Sequence, residues 1–158
     1  MIFVTVATHF QGFDRLIREM DLIAGKINEE VIAQIGSTKY QPKNIKYFTY
    51  IEEELILKLY KESRIIVTHA GAGTLLTILK YKKPVIIVPR LKKYNEHVDD
   101  HQLELAEVLK NKDNVIIVYD IENLEDALTK ADKLTYTEFK QNKELVFFLK
   151  DYIGRMRK

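Results

Sequence analysis

The chain has 158 residues, 46% of them hydrophobic, which is the length of one ordinary domain with a sizeable core and too short for two full lobes. Its 25 basic and 23 acidic residues leave a net charge of +2, and no lysine or arginine run exceeds two residues, so the electrostatic footprint of a nucleic-acid binder is missing. The absence of cysteine excludes disulfides, thiolate metal sites and a cysteine nucleophile, and fits a reducing, cytoplasmic setting.

The first element is Ile2 to Val6, a run dominated by β-branched residues that predicts a buried strand. The N-terminus lacks a basic leader and a small-residue cleavage site, and its apolar run is far below the ~20 residues that cross a bilayer. Apolar residues at Phe13, Leu16, Ile17, Met20 and Ile23 then mark a helix that Gly25 closes. Strands follow at Glu30 to Ile35 and Ile45 to Tyr50, a charged, leucine-rich helix at Glu52 to Glu62, and a further strand at Arg64 to Thr68. Val85 to Val88 and Val115 to Val118 bring the total to about six. Strands alternating with helices predict an α/β domain, a Rossmann-like, doubly wound parallel sheet, because parallel neighbours need crossover connections.

The last segment changes period. From Tyr136 to Met156 the residues Phe139, Leu145, Phe148, Leu149, Tyr152, Ile153 and Met156 fall mostly at three- and four-residue steps, which predicts one or two C-terminal helices. They either pack on the chain's own sheet or offer a face to a partner or membrane surface, ahead of the basic end Gly154-Arg-Met-Arg-Lys158.

Ligands of open parallel sheets collect beyond the carboxyl ends of the strands. His9 follows the first strand, His69 the fourth, and His97 and His101 lie in the loop after the fifth, so all four histidines map to that rim. The stretch His69-Ala-Gly-Ala-Gly-Thr74 joins a strand to a helix there. Glycines at 71 and 73 let backbone approach a ligand, and the N–H groups opening the helix favour a phosphate. The spacing matches neither a dinucleotide fingerprint nor a P-loop. By itself it is either a diphosphate seat or a tight turn.

Three blocks in order, His69-Ala-Gly-Ala-Gly-Thr74, Lys83-Pro-Val-Ile-Ile-Val-Pro89 and Asp100-His-Gln-Leu-Glu-Leu-Ala106, resemble the C-terminal, nucleotide-sugar-binding half of GT-B glycosyltransferases in glycosyltransferase family 28. The opening Ile2-Phe-Val-Thr-Val-Ala-Thr-His-Phe-Gln-Gly-Phe-Asp-Arg-Leu16 is similar to the small, donor-binding subunits of two-chain enzymes, including those of exopolysaccharide and capsule synthesis. The resemblance covers roughly residues 1 to 130.

What the resemblance implies is a single UDP-sugar-binding domain over 1–158. Backbone at Tyr50 and Ile51 would hold the uracil. The turn Ala70, Gly71, Ala72, Gly73 and Thr74, with His69, would face the diphosphate. His101 and Gln102, from the loop after Pro89, would meet the sugar or its phosphates, and Thr8, His9 and Gln11 would close over the phosphates from the other side. Transfer in this family inverts the sugar and needs no bound metal or cofactor. Two departures stand out: Thr77 occupies the place of a ribose-binding carboxylate, and Ala7, Phe10 and Gly12 stand where glycine, an acid and proline are usual.

A GT-B site lies between two lobes, so the resemblance implies a membrane-anchored, acceptor-binding glycosyltransferase subunit that presents a lipid-linked acceptor. This chain would then be cytoplasmic, peripheral to the inner face of the membrane through that partner, and inactive or weakly active alone. The general base is expected on the partner or the joint surface, with His9 the candidate on this side and phosphate donation or bracing of the loop its other role. Three functions stay open: the donor-binding transferase subunit, a non-catalytic accessory subunit that enhances a separate glycosyltransferase, and another α/β enzyme such as an epimerase or an NAD-dependent protein.

Overall fold

The computed structural model describes residues 1–134 and 143–156. Six strands, β1 (Ile2–Thr5), β2 (Val31–Gln34), β3 (Lys46–Phe48), β4 (Ile65–Thr68), β5 (Val85–Ile87) and β6 (Val115–Ile117), form one sheet in the order β3-β2-β1-β4-β5-β6. Every neighbouring pair is parallel, with Ile2 opposite Val31 on one side and Ile65 on the other. The expected α/β, Rossmann-like sheet is therefore present. Each strand is one to three residues shorter than the apolar run that marks it: β1, β5 and β6 lose the last residue of the run, β4 its first, and β2 and β3 residues at both ends.

Successive strand residues point to opposite faces, and both faces are covered. Ile2, Val4, Val6, Val31, Ala33, Ile65, Val67, Ile86 and Val88 form one core with the apolar stripe of α1 (Asp14–Ala24) and with Leu124, Ala127, Leu128 and Ala131 of α5 (Leu124–Ala131). Phe3, Ile66, Val85 and Ile87 form the other, beneath Leu75 and Ile78 of α3 (Ala72–Ile78), Leu105, Ala106 and Leu109 of α4 (His101–Leu109), Tyr60 of α2 (Glu53–Glu62), and Leu149 of α6 (Lys143–Met156). Helix α3 starts at Ala72, ahead of Thr74, and runs on into a 3-10 turn over Leu79–Tyr81.

The step from β2 to β3 has no helix. Buried Asp21 of α1 holds it instead, accepting the Lys43 N–H at 2.9 Å, the Asn44 N–H at 2.7 Å and the Tyr40 hydroxyl at 2.8 Å. Burial alone pushes this carboxyl up, but the Asn44 and Lys43 amides and the Tyr40 hydroxyl outweigh it and hold the group below the usual carboxylate range.

Helix α6 packs across α3, with Leu149 fully buried and Phe148 and Tyr152 set against the same core. Its Val146 and Phe147 stay exposed. The start of the expected helical segment, with Phe139, lies outside the described residues. Among the described residues no helix is long and apolar enough to cross a membrane.

Candidate functional site at the strand-order reversal

The sheet order reverses between β1 and β4, and at the carboxyl ends of these strands three loops converge: β1 to α1, β4 to α3, and β5 to α4. Arg90 ties two of them together from a fully buried position. Its Nη1 donates to the carbonyls of Gln11, Gly12 and Glu96 at 2.9, 3.0 and 3.0 Å, and its Nη2 donates to Val6 O at 2.8 Å. Burial lowers its pKa to about 10, against the opposing pull of the Glu96 carboxylate. That still leaves Arg90 charged in neutral solution. Glu96 grips Arg15 through both oxygens, at 2.8 and 2.9 Å, and takes the Leu91 N–H at 3.0 Å, which fixes the outer part of the β5–α4 loop.

Gln102 joins the third loop. Its Oε1 accepts the Ala70 and Arg90 amides, each at 3.0 Å, and its Nε2 lies 3.3 Å from His69 Nδ1. The other ring nitrogen of His69 is 3.3 Å from Thr74 Oγ1. Burial, then the Arg90 charge, drives the His69 pKa down to about 3, so the ring is neutral. His69, Ala70 and Gln102 therefore stand behind the glycine turn as its brace.

In front of the turn is a crevice of about 350 Å³. Of the residues expected at a ligand, Thr8, Ile51, Gly73, Thr74 and Thr77 line it. Helix α3 has no side-chain cap on its N-terminus, and a Cβ built on Gly73 would meet nothing within 4 Å, so the first turn is open on this side. The Thr77 hydroxyl is turned back onto Gly73 O at 3.3 Å. Ala7 and, missed by the sequence reading, Thr5, Gln34, Glu53, Ile56, Leu57 and Tyr60 complete the walls. Thr5 and Gln34, linked by a 2.7 Å hydrogen bond, are the last residues of β1 and β2, so a polar residue closing an apolar strand was the available signal. Nothing distinguished Glu53 from its neighbours in Glu52-Glu-Glu54.

The remaining candidates are not among the residues that line this crevice. Gln11 lines a separate cavity of about 440 Å³ with Phe10 and Tyr94, and its Nε2 donates to Asn95 O at 2.9 Å. Pro89 faces a third cavity, of about 280 Å³. Tyr50 is half exposed, with its hydroxyl 3.1 Å from Ser37 Oγ, and Ala72 packs against the core under α3.

The histidines do gather. The His9 ring stacks on Phe10 and on His97 with centroids 4.7 Å apart in each case, and Asp99 pairs with His97 at 3.0 Å and His101 at 2.7 Å. Hydrogen bonding and attraction from Asp99 raise the His101 pKa, whereas burial and the Arg90 charge lower that of His9. His9 Nδ1 accepts the Gln11 N–H at 3.2 Å, so the neutral ring carries its proton on Nε2. No three His, Asp or Glu side chains among the described residues are arranged to hold one metal ion.

Comparison with known proteins is consistent with this geometry. The model of the glycosyltransferase family 28 C-terminal domain matches residues 1–156. The UDP-N-acetylglucosamine transferase subunit ALG13 of Debaryomyces hansenii is 26% identical over 90 residues, 57% of this chain and 42% of that protein. The UDP-N-acetylglucosamine--N-acetylmuramyl-(pentapeptide) pyrophosphoryl-undecaprenol N-acetylglucosamine transferase of Prochlorococcus marinus is 24% identical over 150 residues, 90% of this chain and 38% of that protein. The chain thus spans about two fifths of the length of these relatives. Among solved structures, the glycotransferase of kitacinnamycin superposes on 99% of this chain and 40% of its own with a TM-score of 0.62 at 16% identity, a likeness of fold.

Proposed function

The chain belongs to the glycosyltransferase family 28 C-terminal domain, and from that premise we propose that it is the UDP-sugar-binding subunit of an inverting glycosyltransferase. With a membrane-anchored partner chain it transfers a sugar to a lipid-linked acceptor in polysaccharide or glycoconjugate synthesis. The observation that carries the proposal is the open crevice at the strand-order reversal, walled on one side by the uncapped glycine turn and on the other by Ile51 and the first turn of α2. A nucleotide laid across it sets its base near Ile51 and its diphosphate against Gly73, Thr74 and Thr8. Glu53, exposed at the mouth, takes the ribose hydroxyls in place of the carboxylate that Thr77 lacks.

In such a transfer the bond from the anomeric carbon to the diphosphate breaks as an acceptor oxygen attacks from the opposite face. Negative charge then builds on the leaving diphosphate. Helix-start amides and the donors around them meet that charge in place, with no reorganisation needed. His9 serves as one of those donors through Nε2–H. Its lone pair is engaged by the Gln11 amide, so the base that deprotonates the acceptor comes from the partner.

Support for a partner is the apolar rim beside the imidazoles. Phe10, Tyr94 and Val98 are 73, 52 and 56% exposed, and an exposed cluster of this kind fits a surface that another lobe covers.

Calorimetry of the chain with UDP, against ADP and NAD, tests the nucleotide assignment. Selective UDP binding is expected. Binding of NAD in its place points to another α/β enzyme, and binding of no nucleotide points to the accessory role.

A further inference from the structure

The hydrogen bonds behind the glycine turn all run in one direction. Gln102 Oε1 accepts two backbone N–H groups, from Ala70 and Arg90 at 3.0 Å each, so that atom is the oxygen and the other terminus of the amide is the nitrogen. An amide nitrogen only donates. His69 Nδ1, 3.3 Å from Gln102 Nε2, is therefore the acceptor. A neutral imidazole has one proton, which then sits on Nε2, and Nε2 faces Thr74 Oγ1 at 3.3 Å. Thr74 Oγ1 accepts the hydrogen bond from that N–H, and its own single O–H is left to donate elsewhere. Thr74 lines the crevice.

The site is built to keep this order. His69 is 6% exposed and Gln102 7%, so water does not compete for either side chain. The ring is also confined, because a Cβ at position 71 would come within 2.1 Å of its Cε1. Burial and the Arg90 guanidinium keep it neutral.

We propose that Gln102 and His69 act as positioning residues that set the direction of the Thr74 hydroxyl, so that it donates to the diphosphate of a nucleotide in the crevice. Both stand behind the hydroxyl, buried and absent from the residues that line the crevice. The inference rests on the nucleotide reading of the same crevice and adds the source of one of its donors.

The direction of the relay and its effect on binding are measured separately. Nitrogen-15 NMR of the nucleotide-free chain reads the His69 tautomer, and the expected state is protonated Nε2. A protonated Nδ1 overturns the proposal whether or not UDP binds, whereas a protonated Nε2 in a chain that binds no UDP sinks the nucleotide reading instead. Calorimetry with UDP at pH 8.5 then compares four variants. Thr74→Ser is expected to bind as wild type, while Thr74→Val loses about tenfold, the scale of one hydrogen bond to a charged group. Gln102→Glu keeps both acceptor bonds to the Ala70 and Arg90 amides but can no longer donate to the ring. With the His69 proton drawn to Nδ1, the Thr74 hydroxyl turns inward and binding falls by a similar factor. The double variant Gln102→Glu with Thr74→Val loses no more than either single one, since both remove the same donated proton. If the tautomer reverses while UDP affinity holds, or if affinity falls with Nε2 still protonated, the relay does not set the hydroxyl.

Discussion

A Cβ on Gly71 would lie 2.1 Å from Cε1 of His69, so these two residues fit together only while position 71 is glycine. Gly73, two positions on, has nothing within 4 Å of the same construction. The two glycines of one turn are therefore required for different reasons, the first for an internal brace and the second for approach from outside. Gly71→Ala is expected to displace the imidazole and destabilise the fold by roughly 2 kcal/mol or more, as overpacking against a confined ring does. Gly73→Ala, in the first turn of α3, is expected to leave stability unchanged or raised by up to about 1 kcal/mol through helix propensity, while UDP affinity drops. Urea midpoints and calorimetry on both variants decide it. Equal loss of stability in the two contradicts the distinction.

The buried, neutral state of His69 makes stability depend on pH. Its pKa is about 3 in the folded chain and near 6.5 in an unfolded one. Between these values the unfolded state binds the extra proton, so the contribution is complete above pH 6.5 and is lost as pH falls toward 3. From pH 7 to pH 5 the group is expected to cost about 2 kcal/mol of stability, and His69→Gln should remove that share of the slope. Urea unfolding of both proteins at the two pH values measures the difference. Identical slopes mean that the ring is already protonated in the fold.

Thr77 bonds back to Gly73 O, and Glu53 shares its crevice. If Glu53 supplies ribose recognition, Glu53→Gln is expected to weaken UDP about five- to tenfold through loss of charge-assisted hydrogen bonds. The same substitution should weaken 2′-deoxy-UDP, which keeps only the 3′ hydroxyl, by a smaller factor. Adding Thr77→Glu to that background should recover UDP affinity. A loss of equal size for both nucleotides removes Glu53 from the ribose.

Ala7 adopts φ 55°, in the left-handed region, two residues past the end of β1. A Cβ on neighbouring Gly36, itself at φ 51°, would come within 2.7 Å of Ala7 O. Ala7→Gly is expected to stabilise the chain by about 0.5 kcal/mol, the relief of strain less the added freedom of the unfolded glycine. Gly36→Ala is expected to destabilise it by more than about 2 kcal/mol. Denaturant midpoints test the pair, and a destabilised Ala7→Gly protein would mean that the turn tolerates alanine without strain.

The sheet and the turn were legible because their determinants are local. Ile2 to Thr5 and Ile65 to Thr68 are strands by composition and length, α1 announces itself by the spacing of Leu16, Ile17, Met20 and Ile23, and the glycines at 71 and 73 mark the break between strand and helix without any help from distant residues. From these alone follow parallel pairing, the rim on which loops gather, and the arrival of four histidines there.

Which way each rim side chain faces was decided by the tertiary structure. Gln102 and His101 are adjacent in sequence and read alike as polar loop residues, yet Gln102 is buried on the Ala70 and Arg90 amides while His101 stays outside with Asp99. Arg90 looks like any surface cation until carbonyls from residues 6, 11, 12 and 96 close around it. A polar side chain turns inward when backbone groups brought from remote loops can satisfy it, and that supply exists only once the chain has folded.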